Sequence, residues 1–512
     1  MLAAGLLVRL GLAFFTFLNP DEALHYLLSV QPSAALAYKA SLTTVHPPLF
    51  ILWLHYWGLL GHSEFFLRLP CVLTGTAFCW IVYRWLETIL NRTAGLIALA
   101  LLLFLPPLIF ISSELRQYAF LLLFMAAGIY FFDRALTSKS TFLMLSSGLF
   151  LCLALLTHYS ALMFAAAFAI YAAVRFSSRN APRRLLAPWI ADLLLALALA
   201  AFLWRSHISH LAARGVLQGM AEGWFHSSVL QPGENIFWFA FRSSLRFFRY
   251  LFWSGAIGAI AMLLFIVGVV QLFRNRQQQT SGKPTPRQLG ILLTLPFLIN
   301  LTAALAGKYP FGGTRHCSFL AMFAIAGISV PLARWTAIHR WSIPTGIAIA
   351  LAISNFFPSP SGTYMRPEFQ SRKRMQQATE FVAQSLPPGS IILADQESAL
   401  LLSYYFCPRA VVQIEPSPQP LHKFSCGDRW VITTFPRWFI FDGPTLASAL
   451  DEISRNADYN PGENLWFFQA GWLVEKEPDV RMVLAQHRCS TPRNFGQNIL
   501  VCKLTASPST AQ

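Results

Sequence analysis

The chain is dominated by apolar stretches of about 18 residues that recur from the N-terminus to about residue 357. Each stretch is long enough to cross the roughly 30 Å hydrocarbon core of a bilayer. Only 12% of the 512 residues are charged, about half the fraction typical of soluble domains. We therefore predict a polytopic α-helical membrane protein with about eleven transmembrane spans. The predicted spans lie at 2–18, 67–86, 94–111, 117–133, 141–157, 160–176, 186–204, 247–272, 289–306, 316–333 and 342–357.

Two apolar segments allow a second interpretation. The run at 2–18 resembles the core of a signal peptide, but it lacks a basic leader and a small-residue cleavage site. We therefore expect it to be retained as a span. The segment 46–60, "HPPLFILWLHYWGLL", is short, and its prolines favour a helix start. We expect an interfacial or re-entrant helix there, with a twelfth span as the alternative.

The formal net charge of +16 is large for a chain with so few charged residues. The chain carries no motif of a nucleic-acid-binding module, so we expect no nucleic-acid partner. Basic residues also accumulate in the cytoplasmic loops of membrane proteins. With the N-terminus inside, those loops hold Arg84, Arg92, Arg134, Lys139, Arg175, Arg179, Arg183, Arg184, Arg274, Arg276, Lys283, Arg287, Arg334 and Arg340. This orientation places the chain beyond about residue 358 on the outer face.

The same orientation brings a set of polar residues to the outer face, although they come from five separate loops. They are Asp21, Glu22, His46, Glu114, Arg116, His158, Tyr159 and the segment from Lys308 to His316. The orientation was chosen from the basic loops alone, so this clustering is an independent observation. We take these residues as candidates for a functional site.

The composition changes near residue 358, where Pro, Ser and charged residues increase. Beyond this point we predict strands at "GSIILAD", "AVVQI", "RWVITT", "VRMVLAQ" and "NILVCKL", and helices at 397–406 and "TLASALDEISRNA". Strands that alternate with helices indicate a small α/β domain. We therefore divide the chain into a membrane domain at 1–357, with a first outer loop at 19–66, and an extracytoplasmic α/β domain at 358–512.

The eight cysteines fall into two groups. Cys407, Cys426, Cys489 and Cys502 lie in the C-terminal domain. An exported domain folds in an oxidising compartment, so one or two disulfides are expected, with four reduced thiols as the alternative. The others lie in or near spans and are expected to pack as small apolar residues; they are Cys71, Cys79, Cys152 and Cys317.

The stretch "NPDEALHY" places two acids, Asp21 and Glu22, directly after the first apolar run. Acids at the end of a span are often solvated and without a catalytic role. A carboxylate that is partly shielded from water there can instead act as a general base. Two neighbouring carboxylates can also bind a divalent cation through their oxygens. Asp21 and Glu22 are therefore candidate catalytic residues and candidate metal ligands.

The stretch "SSELRQYAF" places Glu114, Arg116 and Tyr118 at the outer start of a span. An arginine and a tyrosine at this depth are often interfacial anchors. The planar guanidinium of Arg116 also suits bidentate binding of a phosphate, and Glu114 suits orienting it or binding a hydroxyl-rich substrate. We take all three residues as candidate substrate-binding residues.

Two further loops contribute candidates. In "LLTHYSAL", His158 and Tyr159 lie in a short turn, where a histidine is either a helix cap or part of a site. In "GKYPFGGTRHCSF", three basic residues surround a glycine pair that allows a ligand to approach the backbone. Lys308, Arg315 and His316 suit a phosphate or pyrophosphate leaving group, and a connecting turn with interfacial bases is the alternative.

These residue types together fit the transfer of a sugar from a lipid phosphate. A base removes the proton of the acceptor, and cations stabilise the phosphate that leaves. A donor held in the bilayer explains why the candidate residues lie at the membrane boundary.

The motifs "NPDEALHY", "HPPLFILWLHYWGLLGHSEFFLRLP", "SSELRQYAFLLLF" and "YPFGGTRHCSF" resemble, in order and spacing, those of the bacterial family 39 glycosyltransferases. These belong to the GT-C superfamily, with protein O-mannosyltransferases and lipid A aminoarabinose transferases. The resemblance covers residues 5 to about 405. It implies a polyprenyl-phosphate-sugar-dependent transferase with its active site on the outer face of the bacterial inner membrane.

The resemblance also implies roles for individual residues. The catalytic acid falls on Asp21, with Glu22 beside it, and donor phosphate or acceptor is bound by Glu114, Arg116 and Tyr118. By the same resemblance, the His-Pro-Pro element implies a substrate-binding role for His46. The late basic element implies such a role for Arg315 and His316. Use of a metal ion varies in the superfamily, and the C-terminal domain differs among members, so the acceptor is not implied.

We therefore expect an inverting transferase whose partners are a polyprenyl-phosphate sugar, membrane lipids and a lipid, glycan or protein acceptor. A lipid-linked glycan polymerase or ligase is one alternative, and its donor would carry a pyrophosphate. A transporter or flippase is the other, and it would place charges deep inside spans. Only Arg9 and Asp192 have such positions.

Overall fold

The structure is a computed structural model that describes all residues except 179–180, 216–222, 224, 276–281, 358–369, 408–420, 435–440, 457–463, 472–477, 487–488, 497–498 and 505–512. The chain divides into two compact units. Unit 1 comprises Met1–Ala13, Leu42–Phe50 and Arg68–Tyr364. Unit 2 comprises Phe14–Ser41, Ile51–Leu67 and Met365–Gln512. Most of the predicted first outer loop, 19–66, is part of unit 2 together with the C-terminal region.

The described helices, in chain order, are α1 (Leu2–Phe15), α2 (Pro20–Ser29), α3 (Ala34–Ser41), α4 (Leu49–Gly58), α5 (Glu64–Ile89), α6 (Arg92–Phe104), α7 (Pro106–Ser113), α8 (Tyr118–Ser138), α9 (Thr141–Thr157), α10 (Ala161–Phe176), α11 (Leu186–Leu203), α12 (Ser209–Ala213), α13 (Ile236–Phe252), α14 (Gly255–Arg274), α15 (Pro286–Leu305), α16 (Ala321–Thr336), α17 (Ser342–Phe356), α18 (Arg372–Ser385), α19 (Gln396–Tyr405), α20 (Gly443–Arg455) and α21 (Pro478–Gln486). A π-helical turn at Trp204–Ile208 joins α11 to α12, and a 3₁₀ helix at Arg315–Leu320 leads into α16.

Six helical segments of the described chain are long and apolar enough to cross a bilayer. They are Glu64–Ile89, Tyr118–Ser138, Arg183–Ala213, Gly255–Arg274, Pro286–Leu305 and Arg315–Thr336. The bent pair of α6 and α7 is a seventh candidate. Four predicted spans form the shorter apolar helices α1, α9, α10 and α17. The prediction of a polytopic helical membrane protein is confirmed, with up to seven helices of full spanning length.

The predicted span at 94–111 is broken at Leu105, where the axes of α6 and α7 differ by 62°. Pro106 follows, and a residue before proline is disfavoured in a helix. The buried guanidinium of Arg9 donates to the carbonyl oxygens of Leu102 and Leu103, at 3.2 and 2.8 Å. Arg9 therefore satisfies acceptors that the helix end leaves without intrahelical partners.

The predicted span at 247–272 is wrong at its start. Helix α13 ends at Phe252, Trp253 adopts a left-handed φ of 49°, and α14 begins after Ser254. The Ser254 side chain accepts the N–H of Ile257, which is a typical helix N-cap. The first part of the predicted span is therefore the end of a separate helix, α13, that packs against α14.

The segment at 46–60 contains one helix, α4, of 10 residues. At about 1.5 Å of rise per residue, such a helix is about 15 Å long, half of what a span needs. Its length favours the expected interfacial or re-entrant helix over a twelfth span.

A buried polar network joins α5, α8 and α10 in unit 1. Asp133 accepts hydrogen bonds from Trp85 Nε1 at 3.0 Å and Tyr171 Oη at 2.9 Å, and pairs with Arg175 at 3.4 Å. Arg175 also donates to the carbonyl oxygen of Gly282 at 2.7 Å. Arg175, which was predicted in a loop, lies instead in the last turn of α10, and its side chain is buried against a carboxylate.

Unit 2 contains a six-stranded mixed sheet with the order β2-β3-β1-β4-β6-β5. Its strands are β1 (Ile391–Leu393), β2 (Leu421–Cys426), β3 (Arg429–Thr434), β4 (Leu465–Ala470), β5 (Ser490–Asn494) and β6 (Ile499–Leu504). β1 lies between β3 and β4 and is parallel to both, with Ile392 opposite Val431 and Trp466. The predicted α/β character of the C-terminal region is confirmed.

Most of the elements predicted for this region are present. Strands β1, β3 and β6 and helices α19 and α20 lie at their predicted places, whereas β2, β4 and β5 were not predicted. The strand predicted at "VRMVLAQ" is wrong, because this segment is helix α21. Val480 and Leu484 are buried one helical turn apart in the core beneath α20. The strand predicted at "AVVQI", 410–414, lies outside the described residues.

Side chains of alternate strand positions form two cores, one on each face of the sheet. One core contains Leu393, Ile432 and Phe467 together with residues of α20 and α21. The other contains Ile392, Val431 and residues of α18 and α19. Ala23 and Leu27 of α2 belong to this second core. The helix that carries Asp21 and Glu22 is therefore an integral part of unit 2.

Two disulfides lie in unit 2, one between Cys407 and Cys426 and the other between Cys489 and Cys502. The second bond joins the segment before β5 to β6. The expectation of one or two disulfides therefore agrees with the structure, which pairs all four cysteines of the region. The remaining four cysteines are buried in unit 1 as thiols.

The disulfides give a first prediction. Non-reducing peptide mass spectrometry should recover linked peptides for Cys407 with Cys426 and for Cys489 with Cys502. The double variant Cys407→Ser with Cys426→Ser should lose about 3 kcal/mol of unfolding free energy, because the bond restricts the unfolded chain. Cys152→Ser is the matched control, since that thiol is not in a disulfide. Recovery of all four thiols in reduced form from exported protein would contradict the pairing.

Candidate active site

Four aromatic rings from separate elements of unit 1 form a cluster around His158. The ring centroid of His158 lies 5.4 Å from that of His46, 5.2 Å from that of Tyr118 and 6.0 Å from that of His316. Tyr118 and His316 are 6.2 Å apart. We call these four residues the ring cluster. The sequence predicted all four as site residues, and the structure brings them together.

Local sequence places each of these rings. His46 is followed by two prolines, after which α4 begins at Leu49. Phe50 of α4 packs edge-to-face on Phe120 of α8 at 5.6 Å. His158 is the residue that ends α9. His316 lies in the 3₁₀ helix, whose start is capped because Thr314 Oγ accepts the N–H of His316 at 3.0 Å.

His158 has a defined tautomer. Its Nδ1 accepts the backbone N–H of Ser160 at 3.1 Å and lies 2.9 Å from the Ser160 hydroxyl. A backbone N–H can only donate, so Nδ1 carries no proton and the neutral ring carries its proton on Nε2. His158 therefore presents one N–H donor, at Nε2.

Burial and the positive charges of Arg116 and Arg315 lower the pKa of His158 to about 3. This histidine lies in the turn between α9 and α10, outside both helices. The two arginines come from loops about 200 residues apart, yet both act on the same ring. Arg116 and Arg315 therefore both lie near enough to His158 to oppose its protonation.

Arg116 is almost fully buried, and its guanidinium carbon lies 5.6 Å from the ring centroid of Tyr118. Its backbone is held by neighbours on both sides. The N–H of Arg116 donates to the carbonyl of Glu114 at 2.8 Å, and Cys71 Sγ donates to the carbonyl of Arg116 at 3.6 Å. Glu114 ends α7 and is itself buried. An arginine buried in this way is unlike an interfacial anchor that extends to lipid.

The glycine pair before Arg315 is explained by close packing on α13. A Cβ added to Gly313 would lie 2.9 Å from the carbonyl oxygen of Arg246. Gly312 has a φ of 143°, which side chains rarely adopt. The glycines therefore let the loop that carries Arg315 and His316 lie directly against α13.

Tyr159 packs against His207, with ring centroids 5.9 Å apart. Its hydroxyl lies 2.5 Å from His207 Nδ1, and His207 Nε2 donates to the carbonyl of Leu42 at 3.2 Å. A carbonyl only accepts, so Nε2 of His207 carries a proton. Tyr159 is therefore placed to hold the segment that leads to His46. Lys308 is exposed just after α15 and makes no ring contact with the cluster.

Sequence reasoning missed three residues around the cluster. Phe225 contacts the His316 ring at 4.8 Å, and Tyr309 lies 6.5 Å from it and donates to the His316 carbonyl at 3.2 Å. His207, as described above, supports Tyr159. Tyr309 stands within the quoted "GKYPFGGTRHCSF" motif, so its aromatic character was a visible signal; the other two have no local sequence signal.

Asp21 and Glu22 lie in the first turn of α2 in unit 2. Glu22 forms a capping box: its carboxylate accepts the N–H of Asn19 at 2.8 Å, and Asn19 Oδ1 accepts the N–H of Glu22 at 3.1 Å. Glu22 is fully buried and Asp21 is partly exposed. The main-chain contacts of Glu22 indicate a structural role, which leaves Asp21 as the stronger candidate base.

A metal ion at these acids finds little support in the donor set. The carboxylate of Glu22 is bound to its own helix start. Within the described ranges, no group of three or more His, Cys, Asp or Glu side chains is arranged to hold a metal ion. The residues present therefore do not fit the metal site that we expected at Asp21 and Glu22.

Comparison with known proteins gives the fold. Two crystal structures of ArnT from Cupriavidus metallidurans align with nearly the whole chain. The apo structure covers 98% of this chain and 96% of its own, with a TM-score of 0.53 at 13% identity. The structure bound to undecaprenyl phosphate covers 99% and 97%, with a TM-score of 0.52 at 14% identity. This chain has a GT-C glycosyltransferase fold.

The sequence comparison agrees with this fold. Residues 45–205 match the sequence model of the family described as dolichyl-phosphate-mannose-protein mannosyltransferase. That segment of the GT-C fold contains His46, Arg116, Tyr118 and His158. No curated protein sequence matches the chain. The resemblance to the GT-C superfamily, predicted from four motifs, is confirmed.

The protonation state of His158 gives a second prediction. Its Nε2–H stays available throughout the physiological pH range, since the ring is neutral. The unfolded chain binds a proton near pH 6.5 and the folded chain only near 3, so the unfolding free energy falls as the pH drops between these values. This loss should reach about 3 kcal/mol by pH 4.5, because pH 4.5 lies about two units below the unfolded pKa and each unit corresponds to about 1.36 kcal/mol. His158→Gln, which keeps an N–H at the Nε2 position, should remove this part of the acid sensitivity.

Thermal unfolding of the wild type and His158→Gln between pH 4.5 and 7.5 checks this. His210→Gln is the control, because its ring is not part of the cluster. The expected result is a smaller fall in melting temperature on acidification for His158→Gln alone. Parallel pH profiles for all three proteins would show that His158 titrates normally.

Proposed function

We propose that this chain is an integral-membrane glycosyltransferase that moves a sugar from a polyprenyl-phosphate donor to a lipid, glycan or protein acceptor. The reaction takes place on the outer face of the bacterial inner membrane. The GT-C fold and the family match over 45–205 support the reaction class. A protein of the same fold binds undecaprenyl phosphate, which supports the donor class.

The observation that carries the proposal is the ring cluster with two arginines beside it. The Arg116 guanidinium lies 5.6 Å from the Tyr118 ring, and Arg315 precedes His316 in the chain. Both of these rings lie next to the neutral, buried His158, on which both arginines act. Two guanidiniums and an N–H donor suit a phosphate, because guanidinium forks bind phosphate oxygens in pairs. Donors fixed in a site of low polarity stabilise charge that develops in the transition state. The leaving group of the proposed reaction, a polyprenyl phosphate, gains that charge.

The reaction balances as one displacement. The acceptor oxygen or nitrogen forms a bond to the anomeric carbon while the bond from that carbon to the phosphate oxygen breaks. The acceptor proton goes to the Asp21 carboxylate, and the bonding electron pair leaves with the polyprenyl phosphate. Direct attack from the opposite side inverts the anomeric centre. We route no step through a metal ion, because the carboxylate of Glu22 already caps α2.

The charges and the cysteines support the proposed cellular location. The basic loops favour an N-terminus inside, and two disulfides in unit 2 suit an oxidising compartment. We therefore propose that unit 2 lies on the periplasmic side.

The transporter alternative rested on the charges at Arg9 and Asp192. Arg9 bonds the helix end at Leu102 and Leu103. Asp192 lies against Gly148 of α9, where an added Cβ would come within 2.0 Å of its carboxyl carbon. Both side chains are packed between helices, so neither points to a transport path.

Comparative mass spectrometry of envelope glycans and lipids, with and without the gene product, tests the function. The proposal expects one class of sugar modification to disappear in its absence. A panel of purified donors then separates the alternatives, because a transferase of this type uses a monophosphate-linked sugar and a polymerase or ligase uses a pyrophosphate-linked glycan. Activity with the pyrophosphate donors alone would overturn the proposal.

A further inference from the structure

A chain of side-chain bonds fastens the residues just before Asp21 to the C-terminal region of unit 2. The N–H of Leu18 donates to the hydroxyl of Tyr405 at 2.7 Å. That hydroxyl donates its own proton to the carboxylate of Glu64. Glu64 is buried and pairs with Arg372 Nε at 2.6 Å. Tyr405, the last residue of α19, therefore connects the backbone of Leu18 to the carboxylate of Glu64.

The direction of these bonds is fixed by chemistry. A backbone N–H only donates, so the Tyr405 oxygen accepts from Leu18, and its proton is left for Glu64. Burial and the negative charge of Glu64 raise the pKa of Tyr405 well above its ordinary value. The hydroxyl therefore remains protonated at neutral pH and makes both bonds.

A second set of hydrogen bonds is made one residue earlier, at Phe17. The N–H of Phe17 donates to the carbonyl of Gln370 at 2.9 Å, and Gln370 Nε2 donates to the carbonyl of Phe17 at 2.6 Å. Gln370 is buried. The N–H and carbonyl of Phe17 are therefore bonded to Gln370, and the N–H of Leu18 is bonded to Tyr405.

The fastened residues lead directly into the helix that carries the candidate base. Asn19 caps α2 together with Glu22, and Ala23 and Leu27 of α2 pack in the core that α19 and the sheet share. The backbone from Leu18 to Asp21 has little freedom once these bonds are made. The position of the Asp21 carboxylate therefore depends on α19.

We propose that Tyr405 is a positioning residue, which sets the place of Asp21 through its bonds to Leu18 and Glu64. The C-terminal domain then contributes to the transfer itself and is more than a separate folded module. This inference rests on the proposed role of Asp21 as base. Displacement of a reacting group by about 1 Å lowers rates by about 100-fold, so a loosened Leu18 has a measurable effect.

Tyr405→Phe tests the inference, with Tyr404→Phe as the matched control. Both tyrosines are in α19, and Tyr404 donates to the carbonyl of His62 at 2.7 Å, away from Leu18. We expect Tyr405→Phe to lower kcat by about tenfold to 100-fold, with the donor KM within about twofold. Tyr404→Phe should stay within twofold of the wild type in both constants. Equal kcat values for the two variants would overturn the inference.

A second comparison separates positioning from loss of folded protein. In the Asp21→Asn background, Tyr405→Phe should cause no further loss, because two changes that act through one group are not additive. An additive loss in that background would overturn the inference. Gln370→Met removes the side-chain bond to the Phe17 carbonyl and leaves the backbone bond in place. It gives a second variant if Tyr405→Phe does not accumulate, and its kcat should fall in the same direction.

The failure of this inference is distinct from failure of the proposed function. If Asp21→Asn retains full activity, the proposed base is wrong, whatever Tyr405→Phe does. If Asp21→Asn is impaired and Tyr405→Phe matches Tyr404→Phe, only the positioning role is wrong.

Discussion

Arg315→Gln is expected to lower kcat/KM for the polyprenyl-phosphate donor by about 100-fold or more. The variant keeps a polar side chain but loses the positive charge and the guanidinium fork. Removing one donor that stabilises transition-state charge typically lowers the rate by 100-fold to 1,000-fold. Arg116→Gln should have a similar effect, because both guanidiniums act on His158 and we place both at the same phosphate.

Steady-state kinetics with a labelled donor in detergent or nanodiscs measures this effect. Arg315→Lys keeps the charge without the fork and should recover part of the lost activity. Arg249→Gln is the matched control, since Arg249 is an exposed arginine of neighbouring α13. A loss for Arg249→Gln equal to that for Arg315→Gln would indicate a general effect of surface charge and contradict a specific phosphate site.

The second large effect is expected for Asp21→Asn. We expect its kcat to fall by about 1,000-fold, because general bases typically contribute factors of about 100 to 10,000. Donor affinity should remain within about threefold, since the cations of the phosphate site are untouched. Single-turnover transfer, combined with equilibrium binding of the donor, separates these two quantities.

Glu22→Gln is the control that the structure supplies. A glutamine at this position of a capping box can still accept the N–H of Asn19. We therefore expect activity within a few-fold of the wild type. Two results would count against Asp21 as the base: an active Asp21→Asn variant, or a loss in Glu22→Gln as large as that in Asp21→Asn.

The positions of the ring cluster were largely predictable from the sequence. Hydropathy marks the spans, and the basic loops mark one side of the membrane. Counting the spans between them then predicts one common side for four residues: His46, Tyr118, His158 and His316. The motifs then add order and spacing. Which side chains touch was not predictable, because His207 and Phe225 reach the cluster region only through tertiary packing and carry no local pattern.

Other predictions from the sequence were wrong for specific physical reasons. "VRMVLAQ" has too few residues to separate a strand from a helix by its apolar pattern. The start of the span at 247–272 was misplaced because α13 and α14 are both rich in apolar residues, and Trp253 at the turn is itself apolar. The packing of α2 with the C-terminal region has no local pattern, because Ala23 and Leu27 contact elements that are roughly 350 residues away in sequence.

The most direct test of the central claim is the stoichiometry of transfer by the purified protein in proteoliposomes. The donor is a polyprenyl-phosphate sugar with separate labels on the sugar and the phosphate, and the acceptor is an envelope extract. We predict one polyprenyl phosphate released for each sugar transferred, with both products lost in Arg315→Gln and Asp21→Asn. Sugar transfer without release of polyprenyl phosphate, or transfer that both variants retain, would contradict the account.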